Sequence, residues 1–448
     1  MRFYYVIKHP RGYKEFRRLN QQYTMNCLTN TVFQDLKERY PTWDQLEQYL
    51  ESEDGGLFRV IDRDEEKGLS LIRYEKETSN MDLPHSNWFR SVVWDHHLHT
   101  PVSISPPKTS STDFPFATRQ EAVDAGVICQ EHLDGFMINC FKRVGDDQLY
   151  ITSRSKLDAS GHFYSGKSFR HLFVEAYTGW IIKEGEPVDW LIQGEAKNIP
   201  SPDSDQNEVA TCYSFLVQHM EHRIVTPVSE NSITLLHKAI VYANGSVLFE
   251  DTPDPSCISH SRCVPLPAIP MIDGSDQIHE WVHEQLRSQP WQVQGLIFKD
   301  RSGNRWRFRS DAYQTVRSLR GNTANKLDRF IQLYLQNLVF IYTEYYPEDN
   351  EVFSFHHKTV NYVINTIYKE YQQLHVRNST TIDKINKMYH PHLYAIHGHY
   401  LTHLRPEKKK VTMNDVHDYL RKQPWQRVAF LLRAAQDSYY EMIRGQNV

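Results

Sequence analysis

The spacing of the apolar residues changes character at Gly321, and no fold for this chain can ignore that change. Before it, apolar and polar residues alternate in short runs bounded by turn residues. Such runs are Leu57–Ile61, Leu69–Tyr74, Phe89–Asp95, Tyr213–His219, Ile233–Val241 and Ser246–Phe249. A period of two is the mark of strands whose two faces meet different surroundings. After it, Leu327, Phe330, Ile331, Tyr334, Leu335 and Leu338 recur at helical spacing, as do Val363, Ile364, Ile367, Tyr368 and Tyr371. Thr412 is placed to cap a further helix through Val416 and Leu420, broken at Pro424 and resumed through Phe430–Leu432. A β-rich core followed by an all-helical tail is therefore expected, with the boundary near residue 320.

Residues 1–80 read as a small α/β lead-in. Thr42 precedes a helix with Trp43, Leu46, Tyr49 and Leu50 on one face, which stops before Gly55-Gly56. Arg119–Ala125 and residues 276–287 read as helices, and Gly295–Lys299 with Arg305–Arg309 as a hairpin-like pair around Asp300–Asn304. Residues 156–175 include a Gly/Ser-rich loop, 196–209 an excursion, and 251–275 a proline-rich surface connection.

Composition narrows the function classes. With 51 basic and 55 acidic residues the net charge is −4, so any nucleic-acid site must be a local patch. Aromatic residues make up 12% of the chain, which argues for ordered globular structure. Cys27, Cys129, Cys140, Cys212, Cys257 and Cys263 form no C-x-x-C pair, as in a reduced, intracellular protein. Cys257, His260 and Cys263 lack an evident fourth ligand, so no metal site is expected there. The start, Met1-Arg2-Phe3-Tyr4-Tyr5-Val6, has no signal-peptide pattern, and no apolar run reaches membrane-spanning length. A cytoplasmic protein with no membrane partner is expected.

The chemistry concentrates around Cys129–Asn139, where His132-Leu133-Asp134-Gly135 makes an acidic-Gly corner between two strand-like segments. It belongs to an ordered series. Arg90 stands in Phe89-Arg90-Ser91-Val92-Val93-Trp94-Asp95, and Ser153-Arg154-Ser155 follows the corner. Then come Phe215-Leu216-Val217 with Arg223-Ile224-Val225, Gln294-Gly295-Leu296-Ile297-Phe298, and Trp306-Arg307-Phe308-Arg309-Ser310-Asp311-Ala312-Tyr313. Over roughly residues 85–320 this series resembles the motifs of RNA ligase-like nucleotidyltransferases of the phage tRNA-repair type. The helical tail resembles, in pattern, the extra domain of such ligases and of their relatives in large DNA viruses.

The resemblance implies an α+β fold. A mostly antiparallel nucleotidyltransferase-like core over 85–320 would follow an α/β extension over 1–84 and precede a helical domain over 321–448. It also sets the family's chemistry beside this chain's residues. The family's motif lysine, which attacks a nucleotide α-phosphate, stands here as His132. The third-motif glutamate is Leu216, the fourth-motif glutamate is Gln294, and the fifth-motif lysines are Arg307 and Arg309. Arginine grips phosphate in a fixed fork but cannot act as a general acid. Lys108 and Lys156 are conceivable substitutes for the lysine, and Glu131 and Glu221 for the carboxylates.

The expectation is therefore a degenerate ligase-like core that binds an RNA end, capped or triphosphorylated, or a nucleotide. Arg90, Arg154, Arg307 and Arg309 would hold phosphates, with Gln294 beside them. His132, at the degenerate nucleophile position, would shape the pocket floor with Asp134 and Gly135. One alternative is an active RNA ligase with a non-lysine nucleophile, using ATP or GTP with Mg²⁺. Another is a structural or scaffold protein, viral in setting, that retains the fold alone.

Overall fold

The computed structural model describes residues 26–446, apart from 184, 252, 254 and 259–261. It divides into two compact units, one running to Gln314 and one starting at Thr315. The first unit opens with strand β1 (Asn26–Asn30), helices α1 (Val32–Arg39) and α2 (Trp43–Glu51), and strands β2 (Arg59–Asp64), β3 (Leu69–Arg73), β4 (Val92–Asp95) and β5 (Thr100–Ile104). Helix α3 (Arg119–Asp124) leads to β6 (Ile128–Glu131), β7 (Phe136–Arg143) and β8 (Asp146–Thr152). Helices α4 (Phe169–Thr178) and α5 (Asp189–Glu195) precede β9 (Glu208–Gln218), β10 (Ser232–Tyr242) and β11 (Val247–Asp251). Helix α6 (Ile278–Arg287) and the hairpin β12 (Gly295–Lys299) and β13 (Arg305–Arg309) complete the elements of the first unit, and helix α7 (Asp311–Arg320) starts in it and ends in the second.

The strands form a six-stranded sheet in the order β1-β11-β10-β9-β7-β8, a four-stranded sheet β2-β3-β4-β5 and a three-stranded sheet β13-β12-β6. Their ladders are antiparallel, so the fold class is α+β. The six-stranded sheet is buried on both faces. Phe141, Ala210, Cys212, Ala239 and Val241 join one core with α1, α2 and the four-stranded sheet. Ile138, Cys140, Tyr213, Phe215, Val217, Ile233 and Leu235 join a second core with α4 and α5. A bulge between Leu235 and His237 lets odd-numbered residues of β10 serve one core before it and the other after it.

From residue 26 onward the segment expected as an α/β extension shares sheets with the rest of the first unit. β1 pairs with β11 at the edge of the large sheet, and β3 pairs with β4. The strand expected over Phe89–Asp95 begins only at Val92, because a single 3₁₀ turn at Ser86–Trp88 precedes it. Thr42 caps α2 as expected, its side chain accepting from the Gln45 backbone N–H. The loop expected within 156–175 gives way at Ser168, which caps α4, and that helix ends at Gly179 with φ 79°.

The second unit is helical, with α8 (Lys326–Leu335), α9 (Val339–Tyr345), α10 (Asn350–Tyr371), α11 (His390–His399), α12 (Met413–Arg421) and α13 (Trp425–Gln446). Phe330 and Ile331 of α8 are fully buried, as are Val363 and Ile367 of α10. Thr412 and Asp415 form a capping box at the start of α12. Asp349, at the entry to α10, is buried and pairs with Arg320 at 2.9 Å and Lys326 at 2.8 Å. Among the described residues no helix is long and apolar enough to cross a membrane.

Candidate functional site

The corner His132–Gly135 carries the chain from β6 in the three-stranded sheet to β7 in the six-stranded sheet. Its geometry is fixed at each residue. The His132 backbone N–H donates to Gly295 O at 2.9 Å, extending the β6–β12 ladder by one step. Asp134 is buried, and one carboxylate oxygen accepts the backbone N–H groups of Val225 and Thr226 at 2.9 and 3.0 Å. Its other oxygen accepts the Tyr313 hydroxyl at 2.9 Å. At Gly135 a Cβ would lie 2.5 Å from Val217 O, so only glycine lets β9 approach. Asp134 and Gly135 thus hold the corner in place, and the Asp134 oxygens are engaged by the protein itself.

The three-stranded sheet is two-faced. Cys129, Leu296, Phe298 and Trp306 pack with α3 and α6 in a third core. The opposite face follows from the register, in which Gly295, Ile297 and Lys299 lie across from Arg309, Arg307 and Arg305. Arg305, Arg307 and Arg309 therefore project in a row from that face. His132, continuing β6 beside Gly295, lies next to them. Glu131 alternates to the other face, away from His132.

The three arginines differ in their partners. Arg305 is buried and pairs with Asp251 at 3.0 Å, and the buried Lys299 pairs with the same carboxylate at 3.1 Å. Burial alone would raise the Asp251 pKa, but Arg305, Lys299 and His237 hold it below the ordinary range. Arg307 is half-buried and Arg309 exposed; neither is ion-paired among the described residues.

His132 registers this charge. Burial first, then the charges of Arg309, Arg307, Arg305 and Arg90, push its pKa down to about 3. The imidazole is therefore neutral at neutral pH. Its Nε2 lies 3.2 Å from Gln294 Nε2; an amide N–H can only donate, so the ring proton is assigned to Nδ1.

On the strand following the corner, a cavity of about 360 Å³ is walled by Phe136, Met137, Phe163 and Phe169, with Arg90 and Arg154 among its polar lining. The Phe136 and Phe169 rings lie 4.9 Å apart. Arg90 lines the cavity and also adds to the field at His132. Its own pKa is lowered to about 10 by burial and by the neighbouring Arg305, Arg154 and Arg307. Arg90, Arg307 and Arg309 are thus drawn together around His132, which Gln294 meets, and Arg154 neighbours Arg90.

Sequence reasoning missed the residue that organises part of this cluster. Tyr74 is buried, with Arg154 over its ring at 5.1 Å and Lys108 at 5.5 Å. Nothing local marks Tyr74; its role comes from the meeting of the four-stranded sheet with the loop after β8. Lys156 is paired with Asp62 at 3.3 Å, Glu221 with Lys167 at 2.7 Å, and Leu216 is buried opposite Met137. Cys257 and Cys263 are half-buried, and His260 lies outside the described residues. Among the described residues no group of three or more His, Cys, Asp or Glu is arranged to hold a metal ion.

No established sequence family matches the chain. A stretch of 99 residues is 26% identical to a protein of invertebrate iridescent virus 3 named as an immediate-early protein ICP-46 homolog. The alignment spans 21% of this chain and 22% of that protein.

Proposed function

We propose that the first unit is an RNA ligase-like nucleotidyltransferase core that has kept its grip on phosphate and lost the family's chemistry. It binds an RNA end, capped or triphosphorylated, or a nucleotide. The observation that carries this reading is a set of arginines not ion-paired among the described residues: Arg90 and Arg154 line one aromatic-walled cavity, and Arg90 with Arg307 and Arg309 acts on one neutral histidine. The similarity to an iridescent-virus protein supports a viral setting, and that protein's name states no activity.

The donor set does not fit a Mg²⁺ ion. Leu216 and Gln294 stand where the resemblance implies carboxylates, Asp134 is engaged by backbone and Tyr313, and Glu131 and Glu221 point or pair elsewhere. One observation favours the enzyme reading: a neutral imidazole beside several arginines is able to attack a phosphate.

Both readings meet in one experiment. The protein is titrated with labelled RNA bearing a 5′-cap, triphosphate or monophosphate. It is incubated separately with labelled ATP or GTP and Mg²⁺, and probed for an acid-sensitive adduct. Binding that salt and Arg307→Ala weaken, without an adduct, supports the binding module. An adduct that His132→Ala abolishes makes the protein an enzyme. Neither signal leaves a scaffold that retains the fold alone.

A further inference from the structure

Two serines in the cavity have hydroxyls with no hydrogen-bond partner among the described residues. β4 and β5 pair through Val92 and Ile104, and one step further Ser105 N–H donates to Ser91 O at 3.1 Å. Ser91 and Ser105 therefore oppose each other, with side chains on the face that carries Ser103 towards Cys212 of the six-stranded sheet. Both line the cavity, and they are only 2% and 1% exposed. Each hydroxyl oxygen is enclosed and has no hydrogen-bond partner among the described residues. Buried serines elsewhere in this unit behave differently: Ser70 bonds His96, Ser79 and Ser86 bond backbone carbonyls, and Ser214 bonds Asn139. A buried hydroxyl without a partner is uncommon, and two opposite each other in one cavity call for a ligand that completes them.

Asn139 lines the same cavity and is 2% exposed. Its carbonyl oxygen accepts from Ser214 at 2.8 Å, so the amide N–H₂ is the end left for a ligand. The cavity then combines flat apolar walls from Phe136 and Phe169, two hydroxyls that donate or accept, one amide donor, and Arg90 and Arg154. Neutral hydrogen-bonding groups between aromatic walls, with cations alongside, match a nucleobase attached to phosphates.

We infer that Ser91, Ser105 and Asn139 read the hydrogen-bonding edge of a nucleobase, and so make the site selective for nucleotides over bare polyphosphate. This rests on the nucleotide-binding reading above and adds the specificity-determining residues. Serine supplies the polar contact with almost no bulk. Alanine in its place keeps the packing and removes the contact.

The test is calorimetric titration of the full chain with ATP, GTP, CTP, UTP and inorganic tripolyphosphate, comparing the native protein with Ser91→Ala/Ser105→Ala. The native protein is expected to bind at least one nucleoside triphosphate about tenfold or more tighter than tripolyphosphate. The double variant should lose most of that margin, keep its tripolyphosphate affinity within about twofold, and melt no earlier than the native protein. If the double variant melts early, Ser105→Ala alone is read in the same way. Native protein that binds tripolyphosphate as tightly as every nucleotide, or a variant that keeps the native margin, overturns this inference while leaving phosphate binding intact. No binding of any of the five ligands overturns the nucleotide-binding reading itself.

Discussion

The Tyr313 hydroxyl donates to Asp134 at 2.9 Å, joining the start of α7 to a corner 179 residues earlier in the chain. The other oxygen of the same carboxylate holds the backbone at Val225 and Thr226. Asp134→Ala would strand two backbone N–H groups and a phenol in buried surroundings. The expected cost is about 3 kcal/mol, against about 1 kcal/mol for Tyr313→Phe, which removes one donor from a carboxylate whose other oxygen keeps both of its N–H donors. Denaturation midpoints of the two single variants and the double variant decide the matter. Strictly additive effects would show that the pair is not coupled.

Much of the framework within each unit is legible in the sequence, because local pattern dictates it. The hairpin Gly295–Lys299/Arg305–Arg309, the caps at Thr42 and Thr412, and the helical spacing after Gly321 all appear where alternation and capping chemistry place them. β1 was not legible: Asn26–Asn30 has no alternation to speak of and is a strand because β11 offers it an edge. The β10 bulge was also hidden, since Ile233, Leu235, Ala239 and Val241 read as one continuous face. At the site, the arginines could be picked out by type and order. The engagement of Asp134 depends on partners far off in sequence, as does the spacing of Arg154 and Lys108 by Tyr74.

Arg307 and Arg309 share a strand face, but only Arg307 is half-buried. In the proposed role each contacts phosphate through a forked guanidinium. Arg307→Ala should weaken binding of a 5′-triphosphate RNA by roughly tenfold and reduce the slope of log affinity against log salt by about 1. Arg307→Lys should recover the salt slope but only part of the affinity, because an ammonium cannot form the fork. An unchanged slope in Arg307→Ala would remove this residue from the phosphate site.

The depressed pKa of His132 makes stability depend on pH in a defined direction. In the unfolded chain a histidine protonates near pH 6.5, whereas in the folded protein His132 stays neutral down to about pH 3. Between those values the unfolded state binds more protons, so stability is complete above about pH 6.5 and falls as pH falls. At pH 5 the contribution is on the order of 2 kcal/mol. His132→Leu should reduce the fall between pH 6.5 and 5, leaving the part due to the other histidines that burial depresses, among them His237, pushed to about 3, and His356 and His392, pushed to about 4. Melting curves of variant and native protein that drop in parallel over this range would refute the assignment.

Asp251 is the carboxylate on which the buried end of the arginine row depends. It holds Arg305 at 3.0 Å and Lys299 at 3.1 Å, and Lys299 is pulled down to about 8 by burial despite that partner. Two buried cations sharing one anion are stable only while the anion is charged. Asp251→Asn leaves both without a counter-charge and should cost about 3–5 kcal/mol, with Lys299 releasing its proton to limit the penalty. Asp251→Asn/Lys299→Met removes one of the stranded cations and should recover a substantial part of that loss. Arg305 would then remain as the buried cation that has lost its counter-charge. Denaturation of the single and double variants separates the outcomes. A double variant no more stable than Asp251→Asn would mean that Lys299 is not the charge Asp251 is there to balance.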